Sequence, residues 1–96
     1  MRDPLELVAK HMRLPLGPIK AGDRGGEMVR ARYAAAWIYR NRWQHPPMCL
    51  VEIGRSMGGF EHSTVRSAIL KAEQYREKDP VFRAMTDRLL EKAREQ

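Results

Sequence analysis

Residues 48–75 read Met48-Cys49-Leu50-Val51-Glu52-Ile53-Gly54-Arg55-Ser56-Met57-Gly58-Gly59-Phe60-Glu61-His62-Ser63-Thr64-Val65-Arg66-Ser67-Ala68-Ile69-Leu70-Lys71-Ala72-Glu73-Gln74-Tyr75. Leu50, Ile53 and Met57 recur at helical spacing and predict a short helix of about 48–57. Gly58-Gly59 ends it. A second helix starts near Glu61 or His62, with Val65, Ala68, Ile69, Ala72 and Tyr75 on its inner face. Leu50, Ile53 and Met57 locked against Val65 and Ile69 across a glycine turn make a helix-turn-helix pattern, with the second helix aimed outward. Its outward set is Ser63, Arg66, Ser67, Leu70 and Gln74, with Lys71 on the flank. Hydroxyls in a helix's first turn can reach base edges or phosphates, and the helix N-terminus itself attracts phosphate. Leu70 is out of place on such a face, and hairpins of helices that bind nothing share the pattern.

The helical period continues on both sides. Upstream, Met28, Ala31, Ala35, Ile38 and Tyr39 make one face of a helix over about 27–43, widened by Ala34 and Ala36. The other face interleaves Arg30, Tyr33, Trp37 and Arg40, which can grip phosphates or, more commonly, pack beneath a neighbouring helix. A helix apolar over most of its circumference is expected at the centre of a small bundle. Asp3-Pro4-Leu5-Glu6 reads as N-cap, proline and capping glutamate, opening a helix of about 4–12 through Leu5, Val8, Ala9 and Met12. Pro15, Gly17 and Pro18 break it, and a short helical turn fits around 16–21. His45-Pro46-Pro47 is a stiff connection. Downstream, Asp79-Pro80 repeats the opening signal, and Phe82, Met85, Leu89 and Ala93 define a last helix to about 94. The expectation is an all-α bundle of five to six helices in a single domain over 1–96, with 79–96 as an added C-terminal helix.

Ninety-six residues bury one modest core and exclude a motor or a large α/β enzyme beside it. Eighteen Lys and Arg against twelve Asp and Glu give +6. Residues 24–71 hold eight bases (Arg24, Arg30, Arg32, Arg40, Arg42, Arg55, Arg66, Lys71) and three acids, a net +5, while residues 72–96 carry six of each. Basicity confined to one segment points to nucleic acid and predicts one charged face. Cys49 is the only cysteine, and His11, His45 and His62 lack metal-pair spacing, so no metal or other cofactor is expected. The longest apolar run, Tyr33–Tyr39, is far short of the ~20 residues of a membrane span. With no signal-peptide pattern, the cytoplasm (in association with the nucleoid) is the expected compartment.

Two motifs suggest catalysis and fail on context. Gly54-Arg55-Ser56-Met57-Gly58 matches the G-x-S-x-G nucleophile elbow, which works only as a strained strand-to-helix turn. His62 adjoins Ser63 and Thr64, but neighbours on a helix point about 100° apart, so adjacency makes no catalytic pair. The chain is not expected to be an enzyme.

Gly58-Gly59-Phe60-Glu61-His62-Ser63-Thr64-Val65 closely resembles the signature Gly-Gly-Arg/Lys-Asp-His-Ser/Thr-Thr-Val of the C-terminal DNA-binding domain of the bacterial replication initiator DnaA. Leu50-Val51-Glu52-Ile53-Gly54 resembles that family's Leu-Pro-Glu-Ile-Gly, and Val29-Arg30-Ala31-Arg32 its Val-x-x-x-Arg-Gln helix entrance. The resemblance covers about residues 4–78. It implies a Trp-repressor-like, all-α fold that binds a short asymmetric duplex box as a monomer. By the same resemblance His62, Ser63 and Thr64 read bases in the major groove, with Glu61 in the aspartate position. Arg24 takes the place of a minor-groove arginine and Arg32 that of the DNA-contacting arginine at the helix entrance. Leu50 and Val51 match the start of the helix that approaches phosphates.

The departures carry their own implications. Phe60 replaces a basic residue, Glu61 is a methylene longer than aspartate, Tyr33 stands for glutamine, and Gly25 and Gly26 dilute the basic loop. They bear on the box sequence, and a lost phosphate contact implies weaker binding. The DNA-facing set is therefore Arg24, Arg32, Tyr33, Leu50, Val51, Phe60, Glu61, His62, Ser63, Thr64, Arg66 and Lys71, with double-stranded DNA as partner. No G-x-x-x-x-G-K-[ST] occurs, so regulation of transcription or replication initiation without ATPase activity is expected. The alternative is an adaptor that keeps the fold and binds protein, or a second copy, through an apolar stripe of Phe82, Met85 and Leu89 on the last helix.

Overall fold

Asp-Pro pairs start two of the helices as expected. Asp3 accepts from the Glu6 amide (3.2 Å), and Asp79 accepts from the amides of Val81 and Phe82 (3.0 and 3.2 Å). In each case the proline sits where a helix has an amide to spare. The computed structural model describes residues 3–95, and their regular structure is entirely helical. The elements are α1 (Pro4–Met12), α2 (Leu16–Lys20), α3 (Gly26–Arg42), α4 (Leu50–Ser56), α5 (His62–Lys78) and α6 (Pro80–Arg94). The observed α4 is shorter at both ends than the spacing of its apolar residues suggests, because Met48 and Cys49 are still extended connection.

α3 is the central helix, packed by every other element. Its Ala31, Ala34, Ala35 and Ala36 are fully buried, and such small side chains let neighbours approach closely on several sides. Leu5 and Val8 of α1, Ile19 of α2, Ile53 of α4, Val65 of α5 and Leu89 of α6 close over it at 0–1% exposure. Burying each of these larger side chains contributes about 1.5–3 kcal/mol. The Arg–aromatic side of α3 packs beneath its neighbours. Tyr33 stacks on Tyr75 (5.8 Å), Tyr75 on Phe82 (5.5 Å), and the Arg76 guanidinium lies over Trp37 (4.1 Å).

Polar ties hold the helices of the bundle to one another. Tyr39, 1% exposed, donates its hydroxyl to Asp3, so one carboxylate caps α1 and anchors it to α3. Burial, first, and the Asp3 bond, second, push the Tyr39 phenol far above its ordinary pKa. The second tie is Arg76, which donates to the fully buried Thr86 hydroxyl and to Asp87 (2.8 Å), joining α5 to α6. The Arg94 guanidinium donates to the Asn41 carbonyl (2.9 Å), meeting one of the open acceptors at the end of α3.

The apolar residues of α6 are spent on this core. Phe82 and Leu89 are 2% and 1% exposed and Met85 is half-buried, so the stripe expected to dock a partner is not on the surface. Phe82 meets Tyr75 of α5, and α6 as a whole packs against α3, α5 and α1, partners that its own spacing does not reveal. Among the large apolar residues of α6 only Val81 is left exposed.

Candidate nucleic-acid interface

Two glycines shape the turn that launches α5. The carbonyl of Gly54 accepts from the amides of Gly59 and Phe60 (2.9 and 3.0 Å), drawing the chain back across α4. A Cβ at position 54 would lie 2.0 Å from the Phe60 carbonyl oxygen, so only glycine fits. Gly58 has φ +117°, and a Cβ there would meet Lys20 at 2.8 Å. The G-x-S-x-G segment is thus a helix end and a turn, with no strand among the described residues to make a nucleophile elbow. Ile53, Met57 and Val65 are buried between α4 and α5, the expected lock, with Leu50 and Ile69 half-buried at its edge.

Glu61 is the N-cap of α5, extended and making no side-chain cap bond, and no acidic residue follows in the first turn. His62, Ser63 and Thr64 are exposed there, where amide groups and the helix dipole favour anions. Arg66, Ser67, Leu70, Lys71 and Gln74 are exposed further along, while Val65, Ala68 and Ala72 face the core. Leu70 stays on the outer face at 52% exposure.

The remaining predicted residues divide. Arg24 is exposed on the loop between α2 and α3, and Val51 is exposed on α4. A groove of about 430 Å³ brings Arg32, Tyr33, Phe60, Ser63 and Thr64 together; Arg24, Leu50, Val51, Arg66 and Lys71 lie outside it. Tyr33 is half-buried by its stack on Tyr75. Arg32 is turned inward: its guanidinium donates to the Ile19 carbonyl (3.1 Å) and to the Asp23 carbonyl, and lies 5.7 Å from the Phe60 ring. Desolvation lowers its pKa from the usual value, with the Asp23 carboxylate acting in the opposite direction.

The eight central bases do not share one face. Arg40 donates to the Met48 carbonyl (2.8 Å), Arg42 lies over Tyr39 and Trp43 (5.1 and 4.1 Å), and Arg30 lies over Tyr75 (5.7 Å). Together with Arg32, half of the segment's bases are engaged within the molecule, because α3 is surrounded and its arginines meet carbonyls and rings. Arg24, Arg55, Arg66 and Lys71 remain exposed with no such contact, and Arg30 is exposed beside its ring. Lys20 lies beside the turn before α5 without any local signal in the sequence: its backbone abuts Gly58 and its side chain is exposed. Cys49 is also exposed, at the N-cap of α4 with no side-chain cap bond.

Residues 4–72 match the family of the bacterial dnaA protein helix-turn-helix. The chain is similar to the chromosomal replication initiator protein DnaA of Deinococcus deserti, 35% identical over 92 residues, 96% of this chain and 19% of that protein. It is 33% identical over 80 residues to that of Thermomicrobium roseum (83% and 17%) and 29% over 85 residues to that of Gloeobacter violaceus (88% and 19%). It spans about a fifth of the length of these curated relatives. No solved structure matches. No described helix is long and apolar enough to cross a membrane. The match over most of the chain, on a six-helix framework with an exposed recognition helix, shows that this chain belongs to the bacterial DnaA helix-turn-helix family, a family of DNA-binding and not catalytic domains.

Proposed function

We propose that this chain binds double-stranded DNA at a site resembling the box of its family. In this reading α5 enters the major groove, His62, Ser63 and Thr64 address base edges, and Arg24 reaches the adjoining minor groove. The observation that carries this function is the first turn of α5, whose three polar residues are all exposed and held forward by a turn that tolerates no side chain at Gly54. Binding regulates transcription or replication initiation and needs no ATP hydrolysis by these residues, since occupying a site is enough to exclude a competitor. The nucleoid of the cytoplasm is the compartment in which such a site is met.

Selection from a random duplex pool tests the reading. Enrichment of one short asymmetric motif, bound about a thousandfold or more above scrambled duplex, is the expected result. A pool that enriches nothing would sink specific recognition. Binding with no dependence on salt would instead favour a module directed at protein, because phosphate contacts necessarily release counterions.

A further inference from the structure

Two segments distant in sequence, residues 19–23 and the turn at Phe60, meet around the Arg32 guanidinium of α3. Its hydrogen bonds reach Ile19 at the end of α2 and Asp23 in the loop, and its face meets the Phe60 ring at the recognition turn. Phe60 also stands beside the loop, close enough that a Cβ on Gly22 would come within 3.8 Å of its Cε1. The same turn presses on α2 through Gly58, whose Cβ would meet Lys20. On the other side of Arg24, the Asp23 carboxylate accepts from the Gly25 amide (2.8 Å). Arg24 therefore projects from a loop secured before and after it.

Resting on the DNA-binding reading, we propose that Arg32 and Phe60 form a joint that fixes the Arg24 loop relative to the recognition turn, making Arg32 a positioning residue and not a phosphate contact in this chain. With arginine or lysine at position 60, as in the signature octet, a second cation would stand where the ring stands and repel the guanidinium. The aromatic face attracts it instead, and draws it inward onto the two carbonyls. Turning Arg32 out to a phosphate would surrender both hydrogen bonds and the stack. The substitution at position 60 thus exchanges one basic group at the DNA surface for rigidity between the two groove-reading parts. A loop carrying Gly22 and Gly25 has particular use for such a restraint.

The test uses the full chain. Arg32→Lys retains the charge that a phosphate contact needs, but lacks the planar fork that reaches two carbonyls and stacks on a ring. On the box selected for the parent protein, Arg32→Lys and Phe60→Leu are each expected to weaken binding about tenfold, with affinity for scrambled duplex changed less than about twofold. Arg24→Ala should weaken the parent about thirtyfold, but the Phe60→Leu protein less than about fivefold, because its loop is already misdirected. Full specific binding by Arg32→Lys, or an Arg24→Ala loss unchanged by Phe60→Leu, would overturn the joint. Without DNA, amide exchange at Ala21 and Asp23, which donate to the Gly17 and Pro18 carbonyls (2.9 and 3.0 Å), reports the loop directly. Both variants should accelerate it by about fivefold or more. Unchanged exchange refutes the joint whatever the DNA result. Faster exchange in the variants, with no duplex bound by the parent, refutes only the DNA-binding reading.

Discussion

His62 is the first residue of α5, the end proposed to read sequence, whereas Lys71 lies midway along the same helix. The two should fail differently. His62→Ala is expected to flatten sequence preference at one or two base pairs and to cost about 1–3 kcal/mol on the selected site. Lys71→Ala should weaken all duplexes alike and make the salt dependence shallower by about one. Fluorescence titrations against the selected box and its single-base variants, at several salt concentrations, distinguish the patterns. Tyr39 bears on stability instead. Its phenol is buried and bonded to Asp3, so its folded pKa is raised while the unfolded chain titrates near ~10. That stabilisation is complete below pH ~10 and lost as pH rises above it toward the folded pKa. Urea unfolding should show about 1.4 kcal/mol less stability at pH 11 than at pH 9 from this residue, an increment absent in Tyr39→Phe.

Between elements, the turn from α4 to α5 is the least tolerant joint. Gly54→Ala forces a methyl into the Phe60 carbonyl and should destabilise by about 3 kcal/mol in chemical denaturation. The α5–α6 tie is asymmetric. Arg76, with 18% of its side chain exposed, serves Trp37, Thr86 and Asp87 at once, and Arg76→Ala should cost about 2 kcal/mol. Asp87 is 54% exposed, so Asp87→Ala should cost less than about 1 kcal/mol by the same measurement. The elements themselves were readable in advance, because Asp-Pro starts, glycine breaks and the apolar period are local signals. Their partners were not. Arg32 reaches Ile19, and Arg94 reaches Asn41, only because the chain folds back on itself. The buried stripe of α6 shows the same limit: spacing reveals an apolar face but not whether another helix already covers it.

For the molecule as a whole, charge is the property that the chain order misrepresents. A net +5 over residues 24–71 suggests a continuous basic surface, yet α3 holds half of those bases within the bundle or over its rings. The exposed bases of the segment, Arg24, Arg30, Arg55, Arg66 and Lys71, set a smaller electrostatic contribution than all eight would. If each meets one phosphate, the slope of log K against log salt should be about −4.5 in titrations on non-specific duplex. In the proposed reading, shape and hydrogen bonding at the turn before α5 then carry a correspondingly larger share of discrimination. Cys49 provides a practical way to see how the domain is oriented on its site. As the sole cysteine, exposed and not needed as a side-chain cap, it accepts a maleimide fluorophore at one chemically defined point beside α4. Energy transfer from that dye to one end or the other of a short duplex would give the polarity with which the protein lies on an asymmetric box, using the unaltered sequence.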